Sequence, residues 1–189
     1  LVAVQVAVAL MLLVSAGLLG RSFWNLRNAE IGFEPGNAMS FYVSLPWNGY
    51  QGYAKPAAFH AAMMDRLEAL PGVTGAVTVL QLPLNHLEGH ELYLRPAEGQ
   101  PAMAAVGNMA SAEYFRVMGI PMRSGRSFRP GDLRGAPAVV LSEKLAMTMF
   151  GTTDVVGRKI FNPRRPGSPD RPLTVVGVVG DVHERRIED

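Results

Sequence analysis

The chain has 189 residues, with 18 Lys and Arg against 16 Asp and Glu, for a formal charge of +2. Its hydrophobic share of 48% excludes a wholly disordered chain. The absence of cysteine excludes disulfide scaffolds, thiolate metal sites and a cysteine nucleophile, and so balanced a charge gives no case for nucleic acid.

Residues 1–20 (LVAVQVAVALMLLVSAGLLG) carry no charge, and only Gln5 and Ser15 are overtly polar. Twenty helical residues rise about 30 Å, the thickness of a bilayer's hydrocarbon core. The run reads as a retained transmembrane helix, against two rivals: a signal peptide and a buried soluble helix. A signal peptide has an apolar core of roughly 7–15 residues and then a small-residue cleavage site. Here the run is longer, and Arg21, Phe23, Trp24 and Arg27 follow it. Trp24 stands where an interfacial aromatic would stand, while Arg21 and Arg27 alone would favour a cytoplasmic flank. The chain opens on Leu rather than Met, so it reads as a fragment whose true start is missing.

Residues 21–32 can continue the helix out of the bilayer until Gly32, Pro35 and Gly36 stop it. Met39, Phe41, Val43 and Leu45 alternate with polar residues, which predicts a half-buried strand over 39–45. A loop over 46–53 leads to a helix starting near Lys55, with Pro56 in its first turn. Phe59, Met63, Leu67 and Leu70 lie on one face, and Pro71-Gly72 ends it. Val73–Leu82 reads as a second strand, which completes a strand–helix–strand unit over 39–82, right-handed if its strands are parallel.

Beyond Pro83 the elements shorten. Strands are expected at 91–95 and 102–109, then a short helix capped by Ser111 and ended by Gly119. Ala138–Leu141 reads as a buried strand, with Ser142 capping a helix over 143–150 and Gly151 closing it. Ile160 and Phe161 mark a short strand, and residues 162–172, with four prolines, an exposed loop. Leu173–Val179 is the most hydrophobic strand, and the last residues are expected to fray.

Candidate chemistry is sparse. His86, Glu88 and His90 would share one face of a strand and could converge on a metal, but the spacing is not H-E-x-x-H and a solvated turn is the plainer reading. Gly177 and Gly180 resemble part of a phosphate loop, yet the full G-x-G-x-x-G is missing, so they read as close-packing points in a strand. A Walker A lysine with its Ser/Thr is absent, which excludes P-loop binding of ATP by this chain. Arg164, Arg165, Arg171, Arg185 and Arg186 read as a solvated loop, with an anionic lipid surface or nucleic acid as the alternatives. Tyr114, Phe115, Ile120, Pro121, Met109, Met118 and Met122 could line a groove but read as core. No G-x-S-x-G elbow occurs. No residue is assigned a catalytic, cofactor-binding or metal-ligating role, and no enzyme activity is expected.

The stretch AGLLGRSFWNLRNAEIGFEPGNAMSFYVSLP (Ala16–Pro46) resembles the first membrane helix, stalk and first periplasmic strand of the MacB-like, FtsX-related ABC permeases, especially their duplicated orphan branch. Three later segments agree in order and spacing: Glu113–Phe128, Val139–Gly151 with Val156–Ile160, and Leu173–Val182. The resemblance implies an α+β fold: a transmembrane helix over 1–20, stalk and linker over 21–37, the first half of a porter-like α/β subdomain over 38–84, and an incomplete, β-rich, sabre-like subdomain over 85–189. It places the domain after Gly20 in the periplasm and the helix in the bacterial inner membrane. It implies a cytoplasmic ABC ATPase that binds the ATP, a homodimer or paired permease, and in some systems a periplasmic adaptor and an outer-membrane channel. The expected job is efflux or mechanotransmission, with Arg21, Phe23, Trp24 and Leu26 as stalk and interface anchors. The alternatives are a single-span periplasmic adaptor without transport and an anchored metalloenzyme built on His86, Glu88 and His90.

Overall fold

A computed structural model describes residues 1–27, 32–34, 36–46, 48–52, 54–83, 90–129, 132, 137–163 and 169–182. The first element, α1 (Val2–Arg27), is one helix of 26 residues. It passes from the uncharged run through Arg21 to Arg27 without a break, as the sequence predicts. The window Val2–Asn25 is long and apolar enough to cross a membrane, and none of it is buried.

The expected strand at 39–45 is not formed. Residues 38–46 belong to no sheet among the described residues, and Met39 is 92% exposed. Alternation states which side of a strand would be buried; it does not supply the neighbouring backbone that a strand must pair with. The helix that follows, α2 (Ala54–Glu68), starts where the sequence places it. Phe59, Met63 and Leu67 are half-buried on its one face, while Leu70 lies in the turn beyond it and is exposed. The second expected strand, 73–82, shrinks to one bridge between Val79 and Ala110. Side chains reinforce it: the Asn108 amide donates to the Gln81 carbonyl at 2.6 Å, and the Gln81 N–H donates to Asn108 Oδ1 at 3.2 Å. The strand–helix–strand unit over 39–82 is therefore a helix between two segments that form no strand among the described residues.

The remaining elements build the sheet domain. Strands β1 (His90–Leu94) and β2 (Met103–Gly107) form an antiparallel ribbon. A short helix, α3 (Tyr114–Val117), follows, and Gly119 ends it at φ +67°. Ser111 does not cap it; its hydroxyl instead accepts from the Thr78 N–H at 3.2 Å, and the helix N-cap, Glu113, makes no side-chain cap. Next come β3 (Met122–Gly125), β4 (Ala138–Ser142), α4 (Glu143–Phe150), β5 (Lys159–Asn162) and β6 (Arg171–Val179). Strand β6 is the axis of a four-stranded mixed sheet. β4 pairs with it in parallel, and β3 and β5 pair antiparallel. Both β3 and β4 shift register against β6, β4 between Val175 and Gly177 and β3 opposite Val178 and Val179.

Helix α4 forms as its caps dictate. Ser142 Oγ accepts from the Leu145 N–H, and Gly151, at φ +68°, returns its N–H to the Met147 carbonyl. The parallel strand–helix–strand unit of this chain is thus β4–α4–β6.

The bulge near Gly177 sets the packing. Val175 and Val178 face one hydrophobic cluster with Leu94, Leu141, Ala146, Val155 and Ile160. Val179 faces a second with Tyr114, Met118 and Ile120. Along β4, Val139 and Leu141 join the first cluster and Val140 the second. The sheet therefore carries α4 and the β1–β2 ribbon on one face. Helix α3, Phe33 and the Val77–Val79 segment cover the other.

Candidate functional site

The feature with functional character is the way a bilayer-length helix is joined to a folded domain. Helix α1 contributes the anchors proposed from the sequence. Arg21 is exposed, Phe23 is 65% exposed and Trp24 is 64% exposed. An exposed ring just beyond an apolar run suits the headgroup region, where an amphipathic aromatic is at home on both sides. Leu26 lies within α1 by its backbone, and its side chain is outside the described residues. Helical spacing separates Phe23 and Trp24 by about 100° around α1, so these anchors ring the helix rather than forming one contact surface.

The chain meets the sheet domain at residues 32–34. The Glu34 N–H donates to the Met118 carbonyl at 2.9 Å, and Phe33 packs against the cluster that Tyr114, Met118, Ile120 and Val179 form. In the sequence this stretch reads only as a helix stop. The signal available there is an apolar residue directly after a glycine, ahead of the Pro-Gly pair at 35–36.

Of the four ion pairs among the described residues, two are the more shielded from solvent. Arg126 and Asp132 form a bidentate pair at 2.7 and 2.8 Å, and the Arg129 N–H donates to Asp132 at 2.7 Å. The Arg126 hydrogen bond holds the Asp132 carboxyl down at about 2 and pushes the Arg126 guanidinium up, because each charge favours the other. Arg95 reaches both carboxylate oxygens of Asp170 at 3.1 and 3.2 Å. This pair ties the end of β1 to the residue before β6, alongside a backbone bridge between Arg95 and Phe161. Both pairs link residues just outside the strands, Arg126 after β3 to the turn at Asp132 and Arg95 after β1 to Asp170 before β6, which is a structural bracing.

The other candidates separate clearly. His86 and Glu88 lie outside the described residues, and His90 opens β1 opposite Gly107. Among the described residues, no three His, Asp or Glu side chains are grouped to hold a metal ion. Gly177 is a close-packing point: a Cβ there would lie 2.5 Å from the Arg126 carbonyl oxygen. Gly180 is another, with Pro121 Cγ 2.9 Å from where its Cβ would be. Tyr114, Met118 and Ile120 are buried core residues, and Phe115 and Met122 pack against them, whereas Met109 is exposed. Of the late arginines, Arg171 begins β6 opposite Asn162, and Arg164, Arg165, Arg185 and Arg186 lie outside the described residues.

The family model described as the MacB-like periplasmic core domain matches residues 1–186. Among solved structures, the chain is similar to the periplasmic region of MacB from Actinobacillus actinomycetemcomitans, at 18% identity and a TM-score of 0.47, covering 67% of this chain and 52% of that one. It is also similar to the extracellular domain of the noncanonic ABC-type transporter YknZ from Gram-positive bacteria, at 24% identity and a TM-score of 0.43, covering 62% and 55%. A third is a domain of a permease protein from Porphyromonas gingivalis, at 24% identity and a TM-score of 0.44, covering 63% and 49%. The aligned part thus spans about half the length of these structures. No curated protein matches the chain. With 186 of its 189 residues under that family model, the chain belongs to the MacB-like periplasmic core domain family.

Proposed function

We propose that this chain is the N-terminal part of an ABC-type permease subunit, set in the bacterial inner membrane with its sheet domain in the periplasm. A cytoplasmic ATPase, separate or fused, binds and hydrolyses the ATP. Its cycle moves the membrane helices, and α1 carries that motion to the periplasmic domain for efflux or mechanotransmission. The subunit works as a homodimer or a permease pair, and some assemblies add a periplasmic adaptor and an outer-membrane channel. Residues 38–84 form half of a porter-like subdomain, and 85–189 belong to a sabre-like one. No residue of the chain performs catalysis, and no cofactor binds to it.

One observation carries this reading: α1 is continuous from the apolar run through Arg27. Its 26 residues rise about 39 Å, more than the roughly 30 Å of hydrocarbon, so the helix emerges from the bilayer still helical. An unbroken helix transmits displacement and rotation; a flexible linker does not. Arg21, Phe23, Trp24 and Leu26 sit in the emerging segment as anchors. The test is a Gly-Gly insertion after Leu26 in the full-length permease. Transport and nucleotide-driven movement of the domain are expected to fall to background, with ATP binding by the partner unchanged. Undiminished transport refutes the lever.

A further inference from the structure

Glu34 and Phe33 are two of four contacts that hold residues 32–34. Gly32, at φ +81°, packs so closely on Asp181 that a Cβ would collide with the Asp181 carbonyl oxygen and lie 3.0 Å from Val182 Cα. On the other side, a Cβ at Gly119 would lie 3.1 Å from Glu34 Cβ. The segment is gripped between the end of α3 and the residues that follow β6.

The seat is itself braced. The Asp181 carboxylate accepts from the Lys144 N–H at 2.8 Å, in the first turn of α4. The Gly180 N–H donates to the Pro121 carbonyl at 2.9 Å, next to β3. A pull on residues 32–34 therefore reaches β6, α3, α4 and the start of β3 through single contacts.

The tether is short. Gly32 follows Arg27 by five residues, which span at most about 18 Å when fully extended. Beyond that slack, movement of the end of α1 must move whatever holds Gly32. The alternative route, through 38–46 and α2, is the more exposed one. Residues 38–46 join no sheet among the described residues, and α2 has no buried residue.

We infer that residues 32–34 are a clasp through which load from α1 enters the sheet domain at the end of its central strand. Gly32 supplies the close approach, Phe33 the anchor and Glu34 the backbone bond. The clasp rests on the transmission reading above and gives it a specific point of attachment.

The test is hydrogen exchange by mass spectrometry on the full-length permease with its ATPase, with and without a non-hydrolysable ATP analogue. Two variants release the clasp differently. Gly32→Val opposes the positive φ and the contact with Asp181, and Phe33→Ala removes only the anchor, leaving the sheet sequence untouched. Exchange at the Glu34 amide is expected to rise at least about tenfold in each. The nucleotide-dependent change in exchange over β6 and α3 is expected to disappear with it. A variant whose Glu34 amide is released but which keeps the full nucleotide response overturns the clasp and assigns the load to 38–46 and α2. An unchanged Glu34 amide in both variants also overturns it. A wild-type complex with a protected Glu34 amide but no nucleotide response in the domain overturns the transmission reading instead, which separates the two failures.

Discussion

Three glycines around β6 separate two costs that usually arrive together. Gly157, at φ +87°, has nothing within 4 Å of the place an added methyl group would take, so Gly157→Ala meets only backbone strain. That costs about 1 kcal/mol. Gly177 has no positive φ, but its Cβ would lie 2.5 Å from the Arg126 carbonyl oxygen and 3.2 Å from the Arg126 nitrogen. Backbone atoms paired into a sheet cannot swing aside, so Gly177→Ala forces β3 away from β6 at a cost of about 2 kcal/mol. Gly125, the cross-strand partner of Gly177, combines both penalties: φ is +71°, and a Cβ would strike the Val176 carbonyl oxygen and lie 2.8 Å from Gly177 Cα. Gly125→Ala is expected to cost about 3 kcal/mol, the two mechanisms together. Because about 1.4 kcal/mol is tenfold, exchange of the β6 amides should accelerate roughly fivefold, thirtyfold and more than a hundredfold in that order. The assay is hydrogen exchange over residues 171–179 in the detergent-solubilised chain. Protection in Gly177→Ala equal to wild type, or a larger loss in Gly157→Ala than in Gly177→Ala, refutes the packing of β3 against β6 described above.

Two further outcomes follow from the caps and charges. Ser142→Ala removes the acceptor for the Leu145 N–H and should destabilise α4 by about 1 kcal/mol, read as faster exchange at Leu145 and Ala146 with β1 and β2 unaffected. Asp132 has its folded pKa depressed to about 2 from the ordinary 3.8, so its pairing with Arg126 stabilises the fold above about pH 4 and is lost as pH falls toward 2. Asp132→Asn should therefore lower the thermal midpoint at pH 7 and flatten the acid limb between pH 4 and 2, measured by circular dichroism in the near ultraviolet.

The parts of the fold legible in the sequence are those governed by local chemistry. Ser142 and Gly151 bracket α4 because a hydroxyl before a helix and a left-handed glycine after it act within a few residues. Helix α1 is legible from its unbroken apolar run, and β6 from its density of valine. The parts that are not legible depend on distant partners. Residues 39–45 and 73–82 have strand-like composition, but pairing is decided elsewhere in the chain. Strand β3 has little signal of its own, because Met-Arg-Ser-Gly has one apolar residue; it forms because β6 offers a free edge. Ser111 has the position of a cap, yet its hydroxyl serves Thr78, 33 residues away. The residues proposed as anchors on α1 are picked out only by their place flanking an apolar run. The seat at 32–34 is not, since Asp181 and Met118 become its neighbours only in the folded chain.

Everything proposed for this chain requires α1 to cross the bilayer and leave the sheet domain outside the cytoplasm. These 189 residues hold no cysteine, so one introduced thiol reports on this domain alone once any cysteine elsewhere in the full-length permease is replaced by serine. Glu98 is exposed in the turn between β1 and β2, so Glu98→Cys offers a single accessible thiol. Spheroplasts carrying the full-length permease would be treated with a membrane-impermeant maleimide. Rapid modification before lysis is the result predicted. Modification only after the inner membrane is broken would place the domain in the cytoplasm and contradict both the lever and the clasp.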